Sequence, residues 1–232
     1  MTYKEDLLKY LGIETTSNQD NQFEIYYQFL IEYNKITNLT RIIDKDEVYY
    51  KHFFDSLTLV KSIEFNNITS ICDMGSGTGF PSLPLKIIYP HLKVTIVDSL
   101  NKRILFLKQL IDKLKLSEVT LIHDRAEHFA LSKQSSFDIV TARALGSISL
   151  ITEMGLPMTN IGGKFIALKG LNYEDEFHAA KQGIHILGGE VEEIKKYVLP
   201  NQYGTRFHIL IKKNKHVKGY PRHFSVMSKK PL

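Results

Sequence analysis

A chain of 232 residues with 43% hydrophobic side chains can bury a large core, yet it holds no apolar run long enough to span a membrane. The first residues, "MTYKEDLLKYLG", carry acids and no apolar stretch, so a signal peptide is not expected; a single cysteine, Cys72, excludes an internal disulfide and a cysteine-rich metal cluster. The net charge of +5 hides an asymmetry: from Lys195 onward ten basic residues and no acid occur, whereas the preceding part is acidic overall. Such a segment suits a polyanion, because lysines and arginines that neutralise phosphates release counterions; a solvated tail is the plainer alternative. A soluble, cytoplasmic protein without membrane contact or metal is expected.

In chain order, the first 65 residues read as helices. "FEIYYQFLIEYNKI" spaces Phe23, Tyr27, Leu30 and Ile31 along one face, and "DEVYYKHFFDSLTLVKSI" does the same with Tyr49, Phe53, Leu57 and Val60. Between them lies a polar loop in which Asp44 is placed to cap the second helix. From residue 68 short β-rich runs alternate with helical ones. Strands are predicted at 68–74, 93–98, 118–123, 137–142 and 163–169, and helices near 81–89, 101–114, 147–156 and 173–187. This alternation predicts an α/β fold, a mostly parallel Rossmann-like sheet covered on both faces. Two last strands, near 189–199 and 205–212, are joined by "PNQYG" and predict a C-terminal antiparallel hairpin, making seven strands. Three parts are thereby expected: an N-terminal helical segment over 1–65, a core over 66–213 and a basic tail over 214–232.

The stretch "DMGSGTGFP" follows the first predicted strand and precedes a helix beginning with Pro81. Glycines at Gly75, Gly77 and Gly79 permit the turn and the approach of a ligand to the backbone. A dinucleotide fingerprint wants its third glycine at position 80, where Phe80 stands instead. Asp98 ends the second strand, placed to accept from both hydroxyls of a ribose, so an adenosine cofactor fits. Asp73 separates the options, because a carboxylate two residues before Gly75 would repel a pyrophosphate and attract cations. S-adenosylmethionine carries a sulfonium and an ammonium and no phosphate. The loop therefore predicts a methyl-donor site, against the alternative of a ligand-free turn.

"YNKITNLTRI", "KHFFDSL", "DMGSGTGFPSLPLKIIYP", "VTIVDSLNKR", "HDRAE", "VTARAL", "GGKFIALKG" and "YPR…KKPL" occur in an order that resembles the bacterial ribosomal RNA small-subunit methyltransferase G family, also called glucose-inhibited division protein B. The likeness covers nearly the whole chain. It implies a class I methyltransferase fold and methyl transfer from S-adenosylmethionine to N7 of a guanine in 16S rRNA near the decoding centre. It implies further that Gly75 and Phe80 flank the methionine end of the donor, that Asp98 meets the ribose, that Ala126 and Glu127 lie along the adenine, and that Arg143 stands beside the transfer point. The six residues "HFSVMS" between "YPR" and "KKPL" depart from the family's usual pattern and leave the tail's conformation open.

Guanine N7 offers an unprotonated lone pair, so no catalytic base is expected, and Arg143 is the candidate for orienting the purine. For RNA contacts the candidates are Asn38, Thr40, Lys51, His52, Arg125, Lys169, Arg206 and Arg222, with Tyr220 placed to stack on a base. His52 and Asp55, three residues apart, equally suit a helix-packing hydrogen bond. The expected partner is 16S rRNA or a small-subunit particle, bound by a monomer. Two rival readings share the fold: a methyltransferase with another substrate, and a noncatalytic ribosome-assembly factor.

Overall fold

The computed structural model describes residues 2–232. Its centre is one sheet of seven strands in the order β3-β2-β1-β4-β5-β7-β6, with β1 Ser70–Met74, β2 Lys93–Asp98, β3 Val119–His123, β4 Phe137–Arg143, β5 Thr159–Lys169, β6 Gly189–Val198 and β7 Thr205–Lys213. β1 to β5 pair in parallel; β7 runs antiparallel to both β5 and β6. The seven-stranded sheet and its terminal hairpin are as the sequence pattern predicts. β5 begins earlier than predicted, at Thr159, because a register shift absorbs the polar, glycine-containing "TNIGG" into the strand.

The helices are α1 (Tyr3–Asp6, continued by a wider turn over Leu7–Leu11), α2 (Ser17–Thr37), α3 (Lys45–Val48), α4 (Asp55–Leu57), α5 (Ser82–Ile88), α6 (Asn101–Leu114), α7 (Ala126–Ser132), α8 (Ile148–Met158), α9 (Glu174–Ile186) and α10 (Phe224–Lys229). Asp44 caps α3 as expected, its carboxylate accepting from the Glu47 N–H at 3.0 Å. α3 and α4 are the two ends of one helix joined by a π turn, Tyr49–Phe54. That wider turn broadens the predicted face: Phe53 and Leu57 are buried with Val48, Tyr50 and Phe54, and Tyr49 and Val60 pack half-buried against the same core.

Alternate residues of each central strand face opposite sides. Ile71, Ile139 and Ile166 join a core shared with α1–α6, whereas Cys72, Val140 and Ala167 join a second core beneath α8 and α9. The N-terminal helices thus complete one face of the sheet. Residues 214–232 also fold back onto the protein: Met227 is fully buried, and Leu232 covers Gly183.

The N-terminal layer grips the glycine loop. The buried Tyr26 hydroxyl donates to the Thr78 carbonyl at 2.6 Å, and its ring stacks on Phe80 with centroids 5.3 Å apart. Phe80 stacks in turn on His52 at 4.5 Å. A Cβ at Gly79 would come within 2.5 Å of the Tyr26 hydroxyl, so this glycine is required by packing. Tyr26→Phe should leave the Thr78 carbonyl without its buried partner and cost about 1–3 kcal/mol of unfolding free energy. Urea denaturation measures this; a loss below about 0.3 kcal/mol would show that the clasp contributes nothing.

Candidate active site

Two pockets open side by side at the carboxyl ends of β1, β2, β4 and β5 and the amino end of the antiparallel β7, next to the point where the strand order reverses between β1 and β4. The first is a cleft lined by Gly75, Asp98, Arg103, Arg125, Ala126, Glu127, Leu145, Met154 and Phe224, among others. Gly75 and Gly77 have φ of +63° and +64°, a left-handed backbone that glycine adopts without strain. A Cβ at Gly75 would strike Leu145 at 2.4 Å, whereas at Gly77 it would meet nothing within 4 Å. Gly75 therefore lets the end of β4 form the cleft wall, and Gly77 leaves the loop backbone uncovered.

The Asp98 carboxylate is nearly buried and already oriented. Oδ2 accepts from the Gly77 N–H at 3.2 Å and from Arg103 Nη1 at 3.1 Å, and Oδ1 accepts from the Leu100 N–H at 2.9 Å. It joins the glycine loop to the start of α6. Glu127, also buried, pairs with Arg125. Asp73 does not line the cleft. Fully buried beneath the loop, it accepts from the Ser82 N–H at 3.2 Å and from the Thr141 hydroxyl at 3.2 Å. It caps the first turn of α5, with Pro81 directly before that helix instead of inside it. Burial pushes its carboxyl up from 3.8 to about 7, against the opposing pull of the Ser82 and Ser76 hydrogen bonds and the Arg143 charge.

The second pocket gathers side chains from four elements: Lys51, His52 and Asp55 from the α3–α4 helix, Arg143 and Ala144 at the end of β4, Lys169 at the end of β5, and Arg206 from β7. Asp55 is its organiser. One carboxylate oxygen accepts from Arg143 Nη1 at 3.2 Å and from Arg206 Nε at 3.1 Å. Arg143 also donates to the Lys51 carbonyl at 3.5 Å, lies 3.4 Å from His52 Nδ1, and holds its guanidinium 5.1 Å from the Phe80 ring centre. These contacts leave Nε and one Nη2 N–H of Arg143 uncommitted. Burial, then the charge of Arg143, lowers His52 to about 3, so its ring is neutral. With Nδ1 facing Arg143, its Nε2 is buried without a partner.

Residues named from the sequence thus divide between two sites. Gly75, Asp98, Ala126, Glu127 and Arg125 meet in the cleft; Lys51, His52, Arg143, Lys169 and Arg206 meet in the second pocket. Asn38 is exposed at the left-handed end of α2, and Thr40 follows in the same loop, whose backbone is tied down by Asn34. Ile42 of that loop reaches the second pocket. Lys169 is tied to Glu176 at 2.6 Å and to the Gly146 carbonyl at 2.5 Å. Arg222 lies in neither site; it is engaged by the buried Glu153. Sequence reasoning did not single out Arg103, Leu145 or Phe224.

A seven-stranded sheet in this order, with a glycine turn after β1 and an acid ending β2, defines a class I methyltransferase fold. The same fold is seen in M. jannaschii TYW2 in complex with AdoMet, at a TM-score of 0.51 and 14% identity over 62% of this chain and 68% of that one. The chain belongs to the family described as rRNA small subunit methyltransferase G (GidB), whose profile matches residues 19–203. It is 48% identical to the Ribosomal RNA small subunit methyltransferase G of Acholeplasma laidlawii over 96% of both chains. Against the protein of that name from Bacillus subtilis it is 48% identical over 95% of this chain and 94% of the other.

The buried Asp73 makes a signed prediction. Below about pH 4 its carboxyl is protonated whether the chain is folded or not. As pH rises toward 7 the unfolded chain loses this proton and the folded chain keeps it, so folding is progressively disfavoured. Asp73→Asn should therefore raise the unfolding free energy at pH 8 by about 1–3 kcal/mol and change it little at pH 4. Urea unfolding at the two pH values measures this; equal effects at both would mean that the carboxyl ionises normally in the fold.

Proposed function

We propose that this protein transfers a methyl group from S-adenosylmethionine to N7 of a guanine in 16S rRNA near the decoding centre. It acts as a cytoplasmic monomer on the RNA or a small-subunit particle. The observation that carries the reading is the pair of pockets that meet at residues 143–145, with Arg143 and Ala144 lining one and Leu145 the other. One pocket has the features an adenosine-bearing cation requires; the other is rich in cations suited to RNA.

Asp98, held by Gly77, Leu100 and Arg103, would accept from the ribose hydroxyls in place of Arg103, and Ala126 and Glu127 would border the adenine. Gly75 and the loop backbone would hold the methionine end, with Asp73 tying the loop and the first turn of α5 together behind them. Phe80 acts from the other side, packing Arg143 and His52 in place. The bound donor supplies an electrophilic methyl group. In the second pocket the free N–H groups of Arg143 match the O6 acceptor of guanine, and Arg206, Lys51 and Lys169 would attract phosphates. Asp55 is the one acid among the described residues lining that pocket, and it holds Arg143 and Arg206 in place there. His52, neutral and facing Arg143, positions that side chain and carries no proton for the reaction. Asn38 and Thr40 border the RNA face. Arg125 belongs with the donor cleft, and Arg222 acts through its grip on Glu153.

The noncatalytic alternative predicts no transfer at all, and an enzyme for another substrate predicts no mark on this RNA. Incubation with labelled donor and small-subunit rRNA, followed by mass mapping, should place one methyl on a guanine, with N7 identified by the chemical lability of the product. Methylation of a different nucleotide or none would overturn the proposal. With RNA and donor saturating, single-turnover transfer should stay nearly flat between about pH 6 and 9, because no enzyme base is required. A log-rate slope near one over the acidic half of that window would contradict it. Arg143→Lys keeps the charge but loses the planar fork, and should lower transfer about 10- to 100-fold while changing donor affinity less than about threefold.

A further inference from the structure

A residue from the far end of the chain lines the donor cleft. Phe224, the first residue of α10, lines the cleft together with Asp98, Ala126 and Leu145. Its ring centre lies 4.5 Å from the guanidinium carbon of Arg125. Arg125 immediately precedes Ala126 and pairs with Glu127, so this ring stands at the end of the cleft assigned to the adenine. Phe224 is itself only half-buried and keeps part of its surface for a further contact.

Its position is fixed on both sides. The Arg222 backbone N–H and Nε donate to one oxygen of Glu153 at 3.0 and 2.7 Å, and Nη2 donates to the other at 2.6 Å. Glu153 is 1% exposed, the one charged side chain of α8, and its neighbour Met154 lines the cleft. On the other side Met227 is fully buried in the core beneath α8 and α9. Gln134 Nε2 donates to the Tyr220 carbonyl at 3.2 Å. One helix thus forms a cleft wall and anchors the segment that carries Phe224.

We infer that Phe224 is a donor-binding residue whose ring packs against the adenine, which makes the C-terminal segment the outer wall of the cleft. The inference rests on the reading of that cleft as the donor site. An aromatic ring beside a guanidinium gives a planar base a face to stack on.

The chain contains no tryptophan, so Phe224→Trp creates a single reporter at the wall. Its emission should change on titration with S-adenosylhomocysteine and saturate with the binding measured by calorimetry. Phe224→Ala should weaken S-adenosylhomocysteine binding roughly 5- to 100-fold, and Phe224→Tyr should restore it to within about threefold. The Ala variant should raise the donor KM with kcat at saturating donor nearly unchanged, a split that a general loss of folding would not give. Asp98→Ala separates the two levels of the argument. If it weakens binding and Phe224→Ala does not, the cleft is the donor site and Phe224 is not its wall. If neither variant weakens binding, the cleft assignment fails and the inference with it. Should the Ala variant not fold, the Trp titration decides: unchanged emission at calorimetric saturation overturns the proposal.

Discussion

A carboxylate shared by two guanidiniums, Asp55 between Arg143 and Arg206, is the constraint on which the rest of the second pocket depends. The three residues come from the N-terminal helices, the end of β4 and the last strand, so their meeting fixes three parts of the chain at once. A buried carboxylate is tolerated only when paired, and removing either partner leaves its charge poorly compensated. The α3–α4 helix must therefore lie across the carboxyl edge of the sheet. The hairpin also places β7 beside β5, and in that position Arg206 reaches Asp55. The antiparallel ending of the sheet is in this sense part of the site.

The end of β4 then divides the two pockets. Ala144 has φ +54°, in the left-handed region that non-glycine residues avoid at a cost of order 1–2 kcal/mol. The turn sends Arg143 and Leu145 to opposite pockets, and the missing side chain of Gly75 makes room for Leu145. The stacked rings of Tyr26, Phe80 and His52 support this partition from behind, reaching from the N-terminal layer to the Arg143 guanidinium.

Local signals were legible in the sequence because their causes are local. The glycine turn, the strand alternation, Asp98 at a strand end and Asp44 as a cap each depend on a few neighbouring residues, and Arg143 stood out at the end of its strand. What was not legible depends on partners far apart in the chain. Asp55 and His52 suggested a pair within one helix, yet each meets Arg143, some ninety positions away. On the face through Tyr49, Phe53, Leu57 and Val60 all four residues meet the core, but regular spacing did not show that a π turn brings Tyr50 and Phe54 in beside them. Arg222 read as an RNA contact because nothing nearby neutralises it; its partner is Glu153, and the signal was a solitary acid within the apolar "ISLITEMGLPM". The basic C-terminal segment likewise looked like a free polyelectrolyte. Lys213 is in fact buried and donates to the Pro157 carbonyl at 2.8 Å, while Arg222 is held by Glu153, so fewer of its charges remain for a polyanion than the composition suggests.

On the proposed function Asp55 is a positioning residue for acceptor chemistry and leaves the donor cleft untouched. Asp55→Asn keeps the shape of the side chain and removes the charge that holds the two arginines. The decisive measurement compares its single-turnover methyl transfer on small-subunit rRNA with its S-adenosylmethionine affinity, in a variant shown by circular dichroism to be folded. Transfer should fall at least about tenfold while donor affinity stays within about twofold. Unchanged transfer, or a parallel loss of both, would contradict the division of the site into two pockets organised by this carboxylate.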